Sequence, residues 1–109
     1  MPSTQLPKPI ATYMAAANAQ DIGVLTTCFD TDAVVRDEGQ DRRGVTAIRE
    51  WAVAVSKKYR PMLEVKDVVD IDGKTILTGR VSGNFPGSPI ELRYLFTLHD
   101  DKIARLEIG

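Results

Sequence analysis

With 109 residues, 43% hydrophobic and 27% charged, the chain has the length for one domain with its own core and is too apolar to be disordered. Its net charge is −1 and basic residues pair only at Arg42-Arg43 and Lys57-Lys58, so there is no basic stripe and nucleic acid is not an expected partner. A single cysteine, Cys28, excludes an internal disulfide and a multi-thiolate metal site, and no apolar run approaches the roughly 20 residues of a membrane span.

The opening stretch, Met-Pro-Ser-Thr-Gln-Leu-Pro-Lys-Pro, contains no apolar leader, which together with the lone thiol predicts a cytoplasmic protein. Leu6, Ile10, Tyr13, Met14 and Ala17 recur at helical spacing, and Pro7 and Pro9 are tolerated only at or before a first turn. A first helix is therefore expected over residues 7–19. Asp21 is a good N-cap for a short second helix with Ile22, Leu25, Cys28 and Phe29 on its apolar side. Ala33, Val34 and Val35 then read as a strand. A third helix begins at Gly44 or in the preceding loop. Its stripe is Ile48, Trp51, Ala52, Val55 and Tyr59, opposed by Arg49, Glu50, Ser56, Lys57 and Lys58, and Pro61 ends it.

After Pro61 the period becomes two. Residues 62–71 are strand-like, although adjacent Val68 and Val69 leave the phase open and with it the facing of Asp67. Asp72-Gly73 is a hairpin signal, and residues 74–85 form the return strand with Phe85 as its last member. Pro86-Gly87-Ser88-Pro89 makes a turn. Ile90, Leu92, Tyr94, Phe96 and Leu98 alternate with Glu91, Arg93, Leu95, Thr97 and His99. Asp100-Asp101 then turns the chain into a last strand over 102–108, with Ala104, Leu106 and Ile108 on one side. The order helix, helix, strand, helix, then four antiparallel strands implies one α+β domain over 1–109, with three helices packed on one side of a curved sheet.

The first strand poses a chemical question. Alternation places Ala33, Val35 and Asp37 on one side and Val34, Arg36 and Glu38 on the other. If Ala33 and Val35 face the helices, Asp37 faces inward, where a carboxylate is costly unless it is hydrogen-bonded, paired or hydrated. A general base is one reason to keep such a group. The alternative is a strand that ends at Arg36, with Asp37 opening a polar loop that runs to Arg42-Arg43. Gly79 and Gly83, on the Leu77/Val81 face, remove volume from the inner wall. Tyr13, in the apolar stripe of the first helix, carries a hydroxyl towards the interior. His99, the only histidine, lies at a strand end beside two aspartates, and no metal site is expected. No phosphate-binding glycine motif is present, and no Ser, Thr or Cys has a credible base partner.

The run Tyr13-Met-Ala-Ala-Ala-Asn-Ala-Gln-Asp21, then Phe29, Asp32-Ala-Val-Val-Arg-Asp37 and Gly44-Val-Thr-Ala-Ile-Arg-Glu-Trp51, resembles the nuclear transport factor 2-like superfamily. Within it, the resemblance is to the ketosteroid isomerase and SnoaL-like polyketide cyclase branch. It implies a cone-shaped α+β roll of the cystatin-like kind, with a curved antiparallel sheet wrapped on helices around a deep apolar pocket, commonly as a dimer. In ketosteroid isomerases a tyrosine of the first helix donates to the substrate carbonyl, an aspartate after the first strand is the general base, and a protonated acid on a later strand completes the oxyanion site. Tyr13 and Asp37 match the first two positions, and Tyr94 stands where the acid would be. The aspartate and histidine of the cyclases are not recognisable.

The resemblance thus implies a cofactor-independent isomerase or cyclase that abstracts a proton next to a carbonyl. Asp37 would be the base, with Tyr13 and Tyr94 as donors to the developing enolate. The expected partner is a small apolar carbonyl compound held by Met14, Phe29, Val35, Trp51, Val55, Phe96 and Leu106. The alternative is a non-catalytic ligand-binding or dimerisation module of the same fold. A homodimer is expected through the outer face of the sheet, where Ile76, Val34, Leu95 and Ile103 would lie.

Overall fold

The chain folds as α1 (Lys8–Ala19), α2 (Ile22–Thr27), β1 (Phe29–Asp37), β2 (Gln40–Arg43), α3 (Val45–Tyr59), β3 (Met62–Ile71), β4 (Lys74–Ser82), β5 (Ile90–His99) and β6 (Lys102–Ile108). The structure is a computed structural model and describes residues 6–109. The reading of a missing leader falls partly on residues 1–5, outside the described residues. No helix among the described residues is long and apolar enough to cross a membrane.

Each helix ends where its sequence supplies a reason. Pro7 caps α1 and Pro9 falls in its first turn, where a missing N–H costs nothing. Gln20 closes α1 in the left-handed conformation, with φ 57°. The Asp21 carboxylate then accepts from the Val24 N–H at 3.2 Å and caps α2. Gly44 starts α3 at φ 88°, Lys57 and Lys58 complement the carbonyl end of its dipole, and Arg60-Pro61 terminates it.

The strands form one curved sheet in the order β2-β1-β6-β5-β4-β3. All pairings are antiparallel except β1 with β6, which is parallel and brings the end of the chain beside its first strand. Glu38-Gly39, Asp72-Gly73 and Asp100-Asp101 close two-residue hairpins, and both residues of each loop have positive φ. That geometry matches the twist of the flanking strands.

Four details differ from the sequence expectation. Phe29 opens β1 and does not belong to α2, which ends at Thr27. The segment after Asp37 is strand β2 and not a polar loop, because the Glu38-Gly39 turn folds it back onto β1. The return strand stops at Ser82 and leaves Phe85 in the following turn. There the Asn84 N–H donates to the Tyr59 carbonyl at 2.7 Å, tying the segment to the end of α3. Ile103 belongs to the core and not to the outer face. Ala104 is the extra residue where the β5–β6 register shifts, so Ile103 and Leu106 both point inward across the break in period. A second bulge, at Lys66, lets Leu63 and Val68 both pack on the core and leaves exposed Asp67 opposite Thr78 on the outer side.

The core lies between the helices and the concave face of the sheet. Phe96, Ile10, Ile48, Leu77, Ile103, Leu106 and Val35 are the largest of its fully enclosed members. They close one end of that face. At the other end β1 and β6 finish and β3 and β5 begin, and there the packing opens.

Candidate active site

Asp37 is the last residue of β1, two positions after enclosed Val35 and on the same face. It is half-buried and points inward, whereas neighbouring Arg36 points outward and pairs with Asp41 at 3.0 Å. The Trp51 indole N–H, carried in by α3, donates to Asp37 Oδ2 at 3.0 Å. A buried indole N–H needs an acceptor, and Asp37 provides it.

Tyr13 arrives from α1 and Tyr94 from β5, with only 3% and 4% of their surfaces exposed. Phe96 orients both rings. Tyr13 meets it edge-on at 5.7 Å between centroids, and Tyr94 stacks against it at 6.3 Å. A Cβ at Gly79 would stand 3.4 Å from the Tyr94 ring, so this position lies directly beneath that side chain. Among the described residues no enclosed side-chain polar atom lacks a hydrogen-bond partner, and neither tyrosine hydroxyl makes a hydrogen bond. Both hydroxyls therefore open onto free space. Burial, then the Tyr94 phenol and the Asp37 carboxylate, hold the Tyr13 phenol well above its ordinary pKa. Burial and then Asp37 do the same at Tyr94. Both groups remain neutral donors at physiological pH.

That space is a cavity of about 530 Å³, within the usual range for a small-molecule site. Asp37, Tyr13 and Tyr94 all line it. Trp51 and Val55 line it too. Met14, Phe29, Val35, Phe96 and Leu106 do not: they are buried in the packed end of the core. The cavity wall also includes residues that were not among the expected site residues: Gln20, Glu38 and Ser56, together with Tyr59 of the α3 stripe and Phe85 after β4. The sequence placed Trp51 on the buried stripe of α3 and Asp37 at the end of β1, but not their contact, which depends on how the helix crosses the strand.

Cys28 is buried, its thiol raised by burial, and it donates to the Val24 carbonyl at 3.6 Å. Such a thiol is a poor nucleophile. His99 is exposed, 3.5 Å from Asp30 and 3.7 Å from Asp100. Among the described residues no group of three or more His, Cys, Asp or Glu side chains could hold a metal ion.

Three helices on the concave face of a curved six-stranded sheet, with a deep cavity between them, define the nuclear transport factor 2-like architecture. Residues 10–106 match the SnoaL-like domain, and the chain belongs to that family. It is 40% identical, over 100% of both chains and with a TM-score of 0.94, to a candidate polyketide cyclase from Sinorhizobium meliloti. A Catenulispora acidiphila protein with a ketosteroid isomerase-like fold, solved with trimethylamine, superposes with a TM-score of 0.83 at 15% identity, over 96% of this chain and 86% of that one. The epoxide hydrolase/cyclase-like enzyme SalBIII, of pyran ring formation in salinomycin, superposes with a TM-score of 0.81 at 18% identity, over 93% and 86%. A comparison with curated proteins gave no match.

Proposed function

We propose that the protein is a cofactor-independent isomerase or cyclase acting on a small apolar carbonyl compound. The observation that carries this reading is the meeting of one half-buried carboxylate and two unpartnered tyrosine hydroxyls on a single apolar cavity. Asp37 Oδ2 is engaged by Trp51, which leaves Oδ1 to take a proton from the carbon next to the ligand carbonyl. The C–H bonding pair moves into the enolate, and Tyr13 and Tyr94 donate to its oxygen. Return of the proton at another carbon is an isomerisation. Attack of the enolate carbon on a second carbonyl of the same molecule closes a ring, and the proton held by Asp37 passes to the new alkoxide. Neither outcome consumes a cofactor. The family and its polyketide cyclase relative support this class of reaction.

The test is deuterium uptake from heavy water next to the carbonyl of apolar ketones, followed by NMR. Asp37→Asn should lower the rate by about 10²- to 10⁴-fold, as loss of a general base does. Tyr13→Phe should lower it by about 10²-fold, the usual cost of one oxyanion donor. The fold should persist in both variants. Ketones that bind without any exchange would indicate the non-catalytic ligand-binding alternative, and unchanged exchange in Asp37→Asn would remove Asp37 as the base.

A further inference from the structure

We propose that the cavity selects its ligand by charge: it admits uncharged and cationic molecules and rejects anions, and Glu38 on its rim sets part of that selection. The proposal deepens the reading above and rests on it for the carbonyl group of the ligand.

Among the described residues, the charged side chains of the cavity wall are Asp37 and Glu38, and no Lys, Arg or His lines it. Neither carboxylate forms an ion pair among the described residues. Trp51 gives Asp37 a hydrogen bond without cancelling its charge. Glu38 is held next to it by the β1–β2 turn at φ 53°, exposed on the rim. Lys58 feels the Glu38 charge, but it is no part of the wall, and its ammonium lies over the Tyr59 ring, 5.0 Å from its centroid. The remaining wall includes the rings of Tyr13, Trp51, Tyr59, Phe85 and Tyr94, whose faces attract cations.

A second observation makes this a ligand site and not only two neighbouring acids. The hydroxyls of Tyr13 and Tyr94, on side chains more than nine-tenths buried, face the cavity with no partner among the described residues. They offer hydrogen bonds to an oxygen of the ligand. The Asp37 charge already disfavours the phenolate form of both tyrosines, and a ligand carboxylate seated there would meet the same repulsion. The enolate of the proposed reaction escapes it, because Asp37 becomes neutral in the step that creates the enolate. A ligand that enters as an anion adds a second negative charge that nothing in the wall offsets. A carboxyl group on the substrate skeleton must therefore be masked as an ester or amide, or removed, by the reaction that supplies it.

The test uses three ligands on one frame: methyl cyclohexylacetate, cyclohexylacetate and cyclohexylethylammonium. Trp51 is the only tryptophan and lines the cavity, so its fluorescence reports binding directly. An apolar cavity without a field would penalise both ions alike, so the comparison of ammonium with carboxylate isolates the sign of the charge. Near neutral pH the ester and the ammonium should each bind at least about tenfold more tightly than the carboxylate. Glu38→Gln should shrink the ammonium-to-carboxylate ratio about threefold, with Asp37→Asn shrinking it further. Carboxylate binding as tight as ammonium binding, or a ratio that neither variant changes, would overturn charge selection while leaving the carbonyl site standing if the ester still binds. No binding of any of the three would overturn both readings.

Discussion

At the scale of single residues, the site is defined by a carboxylate that has a neutral donor and no cation. Trp51 fixes one oxygen of Asp37, while burial and the Asp37 charge keep Tyr13 and Tyr94 protonated. The sign of the resulting pH dependence follows. Unfolded tyrosine ionises near pH 10, whereas these two folded phenols hold their protons to higher pH. Between those values the native state binds more protons than the unfolded state, so stability falls as pH rises through about 10. Urea unfolding should accordingly show that the wild type loses more stability between about pH 8 and 10.5 than the Tyr13→Phe/Tyr94→Phe double variant. Equal losses would mean that neither phenol is perturbed. Alternation in Ala33-Val34-Val35-Arg36-Asp37 was enough to raise an inward Asp37 as one of two readings. The indole bond was not legible in the same way, because it depends on how α3 crosses β1, and no period within one element encodes that crossing.

At the scale of elements, a polar clamp adds to the apolar packing that attaches α1 to the sheet. The Asn18 side chain donates to the Leu63 carbonyl at 3.0 Å and accepts from the Leu63 N–H at 2.7 Å. It thereby satisfies backbone groups of β3, the edge strand next to the cavity. Asn18→Ala strands both groups in a partly buried setting and should cost about 1–3 kcal/mol in chemical denaturation. A change below about 0.5 kcal/mol, the range of ordinary surface substitutions, would show that water replaces the clamp without loss. Most elements were readable from periodicity and breakers: Asp21 for α2, Pro61 for the end of α3, Asp72-Gly73 for a hairpin. The failures share a cause. Strand β2 is four polar, mostly exposed residues, and it exists because the Glu38-Gly39 turn and the edge of β1 recruit it. The bulges at Lys66 and Ala104 each shift the period by one, so Ile103 reads as outward and lies in the core.

At the scale of the whole molecule, the inner face of the sheet was legible and its division into a packed end and an open end was not. Phe96 and Tyr94 sit on the same face of β5, yet one closes the core and the other lines the cavity. That difference depends on where the helices stop covering the sheet, and Met14, Phe29, Val35 and Leu106 fall on the packed side for the same reason. The outer face carries a row of Val69, Ile76 and Leu95 across three adjacent strands, and the described helices pack on the opposite, concave face. We propose that a second copy of the chain covers this row. Sedimentation at micromolar concentration should then give twice the 12.0 kDa chain mass, and Ile76→Lys should give a folded monomer. A wild-type monomer would leave the row as ordinary surface. The most direct test of the account is a crystal structure with an apolar ketone bound. The carbonyl oxygen should lie about 2.7–3.1 Å from the hydroxyls of Tyr13 and Tyr94, with the adjacent carbon against Asp37 Oδ1. A ketone seated in the cavity with its oxygen turned away from both tyrosines, or one bound only outside the cavity, would contradict it.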